Sequence, residues 1–234
     1  MEKTETGGIS NILYRIFPKY AWIPVILAFA VQLIVYCGLK IPVRYLQLHD
    51  LTTQLDRMIP FIPEWIVIYV LSYLSWFITI RWIVSESKEK CYRFAAIYIT
   101  GFLITGVCFL VYPCTLERAE LTGTGFFVDM VRLIYAADDP LQLFPSVHIL
   151  IAYYCWRCTI DCRKIPTWYK WFNFVFLILT CLSILFVRQH VIADIPSAII
   201  IAEISIMIGR VYKPERILYN VVAKLSKSGG NGNA

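Results

Sequence analysis

Two of the three histidines in the chain lie in patterns that are suited to acid–base and nucleophilic chemistry. His190 and Asp194 are four residues apart, so on a helix the imidazole and the carboxylate share one face. A carboxylate bonded to one ring nitrogen fixes the tautomer and leaves the other nitrogen as a nucleophile or a base. The spacing also suits a purely structural pair, and Pro196 weakens the helical geometry. His190 and Asp194 are therefore candidate catalytic residues.

The second pattern is the run Phe-Pro-Ser-Val-His at 144–148. Pro145 suits the first turn of a helix, where its missing N–H costs nothing. Ser146 and the neighbouring free N–H groups would then form an anion site at the start of the helix. His148, one turn inward, could pass a proton to an oxygen held there. A short motif of this kind also arises by chance, so its function depends on what lies near it in space.

Basic residues outside these motifs are candidates for holding a phosphate. Arg118 and Arg132 lie in the polar segment 112–143, and arginine binds phosphate through a planar fork of donors that is always charged. Either residue could instead be an ordinary interfacial arginine, which is the reading we favour for Arg132. Asp138-Asp139-Pro140 predicts a turn before the next apolar stretch. We predict no metal site here.

The elements that must position these residues are apolar. Hydrophobic residues make up 59% of the 234 and charged residues 16%, whereas a soluble domain carries about a quarter charged residues. Stretches long enough to cross ~30 Å of hydrocarbon predict an all-α membrane protein, a bundle of about six transmembrane helices. The six stretches are Ala21–Leu39, Pro63–Val84, Phe94–Pro113, Pro145–Ile160, Trp168–Val187 and Val191–Tyr212.

The distribution of lysine and arginine predicts the orientation. Sixteen of the 22 lie at the termini and in the second and fourth loops, which places both termini in the cytoplasm. The histidine motifs then face the extracytoplasmic side, with a plasma or inner membrane expected. We predict a cytoplasmic segment at 1–20, a six-helix catalytic domain at 21–212 and a basic, disordered tail at 213–234. The segment 41–62 is predicted to be an interfacial amphipathic helix. Because the basic residues fall singly in short loops, a nucleic-acid partner is not expected.

From about Tyr112 to Ala198 the chain resembles the type 2 phosphatidic acid phosphatase superfamily of membrane lipid phosphatases. That family has a Lys…Arg-Pro motif, then Pro-Ser-Gly-His, then Ser-Arg-x5-His-x3-Asp. Arg118-Ala119 is similar to the end of the first motif, 145–148 to the second, and His190 with Asp194 to the third. The motifs occur in the family order, and the six-span layout suits the family too.

The resemblance implies a two-step reaction on a lipid phosphate. In that scheme His190 attacks the phosphorus to give a phosphohistidine, Asp194 supports it, and His148 protonates the leaving lipid oxygen before water cleaves the intermediate. The phosphate oxygens would be held by Arg118, Arg188, Ser146 and the backbone N–H of Val147. Charge stabilisation of this kind is usually the largest catalytic contribution. No cofactor is implied, because cationic side chains neutralise the phosphoryl group.

Several positions depart from the phosphatase pattern. Val111 lies where the family has lysine, Ala119 replaces the proline and Val147 the glycine, while Ile184 lies where arginine is expected and Arg188 follows one turn later. These departures resemble the branch of inositol phosphorylceramide and sphingomyelin synthases, which transfer a phosphoryl head group to an alcohol. A lipid phosphatase is the predicted function. A lipid phosphotransferase using the same histidines is the first alternative, and a non-catalytic scaffold or transporter is the second. The sequence leaves the lipid and the oligomeric state open.

Overall fold

A computed structural model describes residues 16–228 and is an all-α, membrane-type bundle. The elements, in chain order, are α1 (Trp22–Leu33), α2 (Lys40–Val43), β1 (His49–Asp50), α3 (Gln54–Met58), α4 (Ile66–Glu86), α5 (Lys88–Val111), β2 (Cys114–Thr115), α6 (Phe126–Ala137), α7 (Val147–Thr159), α8 (Thr167–Phe186), α9 (Asp194–Tyr212) and α10 (Glu215–Ser228). A short 3₁₀ turn precedes α1, and a π-helical turn, Ile34–Gly38, joins α1 to α2.

Five helical stretches in the described part are long and apolar enough to cross a membrane. They are Lys19–Val43, Pro63–Glu86, Lys88–Val111, Thr167–Phe186 and Asp194–Tyr212. Each contains most of one predicted stretch, which confirms the all-α membrane class. Hydropathy predicts such helices well because every backbone polar group in hydrocarbon must be satisfied within the segment.

The fourth predicted stretch differs from the others. Its helix, α7, has 13 residues and is about 20 Å long, less than the ~30 Å of a bilayer core. Ten of its residues are buried, because α4, α5, α8 and α9 all pack against it. Helix α7 therefore lies at the centre of the bundle, where the longer helices around it cover it.

The loop between the first two long stretches is not the amphipathic helix that was predicted for 41–62. Instead, α2 ends at Val43, β1 pairs in parallel with β2, and a five-residue helix, α3, follows. The side chains of Thr53 and Asp56 form a capping box that starts α3, which prolines at 60 and 63 keep short. The loop closes over the end of the bundle where α8 ends, and there the N–H of Ile62 donates to the carbonyl of Phe186 at 3.0 Å.

The predicted disorder of the tail 213–234 is wrong for Glu215–Ser228, which forms the helix α10. Leu218 and Val222, one turn apart, are buried against the bundle, and the Tyr219 ring stacks on that of Tyr92 with centroids 3.9 Å apart. An amphipathic segment becomes helical when its apolar face finds a partner surface. Residues 229–234, and residues 1–15 of the predicted cytoplasmic segment, lie outside the described part.

Candidate active site

The two candidate histidines meet at one end of the bundle. His148 is the second residue of α7, and His190 lies in the turn between α8 and α9. Their ring centroids are 5.8 Å apart, with the ring planes inclined at 63°. Both line one pocket, which we call the histidine pocket; its other lining residues are Tyr36, Lys40, Asp138, Asp139, Gln142, Leu143 and Val147.

The predicted contact between His190 and Asp194 is present, although it spans a turn and not a helix face. Nδ1 of His190 lies 2.9 Å from Oδ2 of Asp194, and the same oxygen accepts the N–H of Val191 at 3.1 Å. Asp194 is fully buried and is the first residue of α9, where the positive end of the helix dipole stabilises a carboxylate. With Nδ1 donating to Asp194, the lone pair of Nε2 is left available.

His148 has aromatic surroundings on one side and the pocket on the other. Its Nε2 lies 3.1 Å from the hydroxyl of Tyr73. The ring of Tyr69 packs 4.4 Å from the imidazole, and that of Trp76 packs 5.4 Å from it. The two histidines are therefore distinct: a carboxylate orients His190, whereas an aromatic cage with one hydroxyl holds His148.

Lys40 also lines the histidine pocket, although it belongs to none of the sequence motifs. Its Nζ lies 2.5 Å from Oδ1 of Asp138, and the hydroxyl of Tyr36 donates to Oδ2 at 2.6 Å. Burial opposes ionisation of Asp138, but the hydrogen bonds from Lys40 and Tyr36 and the charge of Lys40 outweigh it, so the pKa of that carboxyl lies below its usual value. The four-residue spacing of Tyr36 and Lys40 was the one available signal.

Arg118, a predicted phosphate contact, lies outside the lining of the histidine pocket. Its guanidinium donates to the carbonyl of Tyr135 at 2.7 Å, to the carbonyl of Asp138, and to Oε1 of Gln189 at 3.2 Å. The same group lies 4.4 Å from the centroid of the Tyr135 ring. Arg118 thus ties the segment that carries Asp138 to the turn that carries His190.

Arg188, the second predicted arginine, lies on the other side of His190. Its guanidinium donates to the carbonyls of Arg57 and Ile59, and its backbone has a left-handed φ of 51°. Nearby, Oδ1 of Asp56 accepts the N–H of Ile192 at 2.7 Å. These bonds hold the 41–62 loop against the histidine turn. Nη2 of Arg188 thus faces backbone oxygens, while its Nε is buried without an acceptor among the described residues.

The two remaining predicted phosphate contacts lie at the start of α7. Val147 lines the histidine pocket. Ser146 is fully buried and caps the helix, since its Oγ accepts the N–H of Ile149 at 3.4 Å. The N–H of Ser146 points to the carbonyl of Asp194, at 3.5 Å. The second and third sequence motifs are therefore joined directly through their backbones.

Two charged residues, Arg132 and Glu203, lie away from the histidine pocket. Arg132 pairs with Asp129 on the exposed face of α6. Glu203 lies on α9, nine residues after Asp194, and accepts from Tyr153 at 2.7 Å and from Arg157 at 3.2 Å. Within residues 16–228, no three His, Cys, Asp or Glu side chains are grouped so as to hold a metal ion.

A larger apolar cavity of about 400 Å³ adjoins the histidine pocket. Tyr73 and Trp76 line it and also contact His148. Along the first long helical stretch, Ala28 and Gln32 line the apolar cavity, while Tyr36 and Lys40 line the histidine pocket. These four residues recur every fourth position, so one helix face runs along both spaces.

No family model, curated protein or solved structure matches this chain. The structure brings His148, His190 and Val147 together in one pocket, with Asp194 bonded to His190. Lys40 joins them in the lining, whereas Arg118 and Arg188 lie outside it.

Proposed function

We propose that this chain is an integral membrane phosphatase that hydrolyses a lipid phosphate or diphosphate through a phosphohistidine intermediate. The observation that carries the proposal is the pair of histidines in one pocket, with centroids 5.8 Å apart, of which only His190 is held by a buried carboxylate. That arrangement supports a division of roles between a nucleophile and an acid–base group.

The first step forms a bond between Nε2 of His190 and phosphorus, while the bond from phosphorus to the lipid oxygen breaks. The imidazole becomes positively charged, and Asp194 stabilises that charge through Nδ1. His148 gives its proton to the leaving lipid oxygen. In the second step a water molecule attacks the phosphorus and transfers a proton to His148. The bond to Nε2 breaks, which releases inorganic phosphate and restores both histidines.

The phosphate oxygens need positive charge and hydrogen-bond donors. Lys40 is the cation that lines the histidine pocket, and the N–H groups at the start of α7 present the positive end of a helix. In this proposal, a bound phosphate competes with Asp138 for Lys40. Arg118 and Arg188 act by holding the segments that surround the pocket.

The apolar cavity supports a lipid as the substrate. A cavity of about 400 Å³ falls in the range of ~300–1,000 Å³ that is usual for ligand sites. Tyr36 and Ala28 lie eight residues apart on the shared helix face, so they are separated by about 12 Å along the helix axis. A phosphate in the histidine pocket would therefore place one attached apolar chain in the cavity. The basic residues at the opposite end support an extracytoplasmic site, with both termini cytoplasmic.

His190→Ala tests the proposal, with the protein purified in detergent and supplied with lipid phosphates. We expect the variant to release no phosphate above background and to trap none of the acid-labile, base-stable phosphoryl adduct that the wild type forms. His148→Ala should lose about 10²–10⁴-fold in kcat, the usual contribution of an acid–base group.

His49→Ala is the matched control, since His49 stacks on Tyr112 and does not line the histidine pocket. It should turn over like the wild type. Substantial phosphate release by His190→Ala would end the proposal. Transfer of the phosphoryl group to an added alcohol, with no release to water, would replace hydrolysis by phosphotransfer on the same histidines.

A further inference from the structure

Four basic side chains from three helices line one small cavity at the opposite end of the bundle from the histidines. Lys90 and Arg93 lie near the start of α5, Arg157 near the end of α7, and Arg210 near the end of α9. Arg157 is ten residues, about 15 Å, from the start of α7 at the histidine pocket. We call this space the basic cavity.

The charges of the basic cavity are incompletely balanced. Arg157 pairs with Glu203 at 3.2 Å, and Asp161 is the one carboxylate in the lining. Lys90 donates to the carbonyl of Asp161 at 3.1 Å, not to its carboxylate. Four cationic side chains therefore line the cavity, and two carboxylates lie near them: Asp161 in the lining and Glu203 outside it. An anion in the cavity would relieve their mutual repulsion.

Arg93 provides a second, independent observation. Its Nε is buried and has no hydrogen-bond acceptor within residues 16–228. A buried guanidinium nitrogen without an acceptor is costly, and nearly all such groups in proteins are satisfied. The excess of basic residues on the cytoplasmic side explains how many cations occur at this end. It does not explain why three helices direct four of them at one cavity, or why one of the four, Arg93, carries a buried donor without an acceptor.

We propose that the basic cavity binds the phosphate group of an anionic phospholipid from the cytoplasmic leaflet. Arginine donates to phosphate oxygens in a planar, bidentate manner, and basic pockets between membrane helices on this side suit anionic head groups. The remaining lining is largely apolar, with Ile83, Phe94, Ile97 and Ile206. This ligand is not the substrate, so the inference does not rest on the histidine chemistry.

The bound lipid would join α5, α7 and α9 at their cytoplasmic ends. Two of these helices, α7 and α9, begin at the histidine pocket. A lipid that fixes them together stabilises the folded bundle by mass action, because it binds the folded state and not the unfolded chain.

The test compares the intact protein in nanodiscs of phosphatidylcholine alone with nanodiscs of phosphatidylcholine mixed with phosphatidylglycerol. Native mass spectrometry measures how much phosphatidylglycerol the protein retains, and thermal unfolding measures the shift that the anionic lipid causes. Wild type should retain the lipid and unfold at a higher temperature with it. Arg93→Gln should retain about fivefold less, the effect of losing one basic charge at a membrane surface, while Arg93→Lys should fall between the two.

Arg216→Gln is the matched control, because Arg216 is an exposed basic residue of α10 that does not line the cavity. It should retain the lipid like the wild type. The unfolding temperature of each variant is compared between the two bilayers. A substitution that lowers stability equally in both therefore leaves the difference between them unchanged. If Arg93→Gln does not fold, Arg210→Gln at the exposed rim should show the same selective loss.

Three results would overturn the proposal. Equal retention by wild type and both cavity variants would show that the cavity is not the site. Equal loss in Arg216→Gln would assign the effect to surface charge in general. A stabilisation by inorganic phosphate in pure phosphatidylcholine as large as that by phosphatidylglycerol would make the ligand a small anion and exclude the lipid.

Discussion

Lys40 and Asp138 form the charged side of the histidine pocket. Their contact joins residues 98 positions apart, so a lysine from the first long helical stretch reaches a pocket that the histidine motifs form. In the proposed mechanism this lysine ammonium, a compact point charge on a flexible stem, moves from Asp138 to a phosphate oxygen.

Replacing Lys40 tests this role. Lys40→Met should lower kcat for phosphate release by about 10²–10³, as expected when one charge-stabilising donor is lost. Because the change leaves Asp138 without its cation, the double variant Lys40→Met/Asp138→Asn should be measured too, and it should be equally slow. Arg44→Met is the control. Arg44 lies one helical turn after Lys40, pairs with Asp139 and is exposed. Near-normal turnover in the double variant would remove Lys40 from the mechanism.

The two elements that sequence patterns described least well are the 41–62 loop and α10. Both are polar or mixed in composition, and both acquire their structure from the surface against which they pack. The loop is held by Arg188 and Asp56, which bond across to backbone groups more than a hundred residues away. Helix α10 is held by two buried side chains and one aromatic stack. Propensity alone would leave a helix of this length marginal in water.

Two neighbouring residues of α10 test whether packing stabilises it. Leu218 is 7% exposed and Ile217 is 69% exposed. Leu218→Ala should destabilise the protein by about 2–5 kcal/mol, the cost of emptying a buried leucine site, whereas Ile217→Ala should stay within about 0.5 kcal/mol. Reversible unfolding in detergent measures both, and hydrogen exchange over 215–228 should quicken only in the first. Equal effects would mean that α10 does not dock as described.

At the scale of the whole molecule, the bundle separates two charged ends. The histidine pocket lies at one end, and the basic cavity lies at the other. Helix α7 connects them even though it is too short to span a bilayer by itself, because its neighbours shield it from lipid. The five long helical stretches and α7 together make six passes along the bundle. An even number of passes returns the chain to the end from which it started, so both described ends lie on the side of the basic cavity.

Thiol labelling in sealed cells tests this orientation. After the eight native cysteines are replaced, a cysteine at Glu117, which is 82% exposed, should react with an impermeant reagent. One at Lys88, exposed at the start of α5, should react only after permeabilisation. The reverse pattern would place the histidine pocket in the cytoplasm and would contradict the proposed location of the site.

By itself the sequence determined the membrane class, the approximate bounds of the long helices and the contact between His190 and Asp194. Hydropathy acts over one segment at a time, and two residues four positions apart are brought close by local backbone geometry, so neither result needs knowledge of the fold. The pattern of basic residues likewise predicted an orientation, which the labelling experiment can check.

Only the tertiary structure decided which charged groups face the histidines. Lys40 enters the pocket because the first helical stretch packs there, and Arg118 and Arg188 donate to carbonyl oxygens of segments that the fold brings beside them. The arginine positions in the motifs could not reveal this, since a long side chain can reach either a ligand or the backbone. The choice depends on contacts between segments about 20 to 130 residues apart, which no local pattern records.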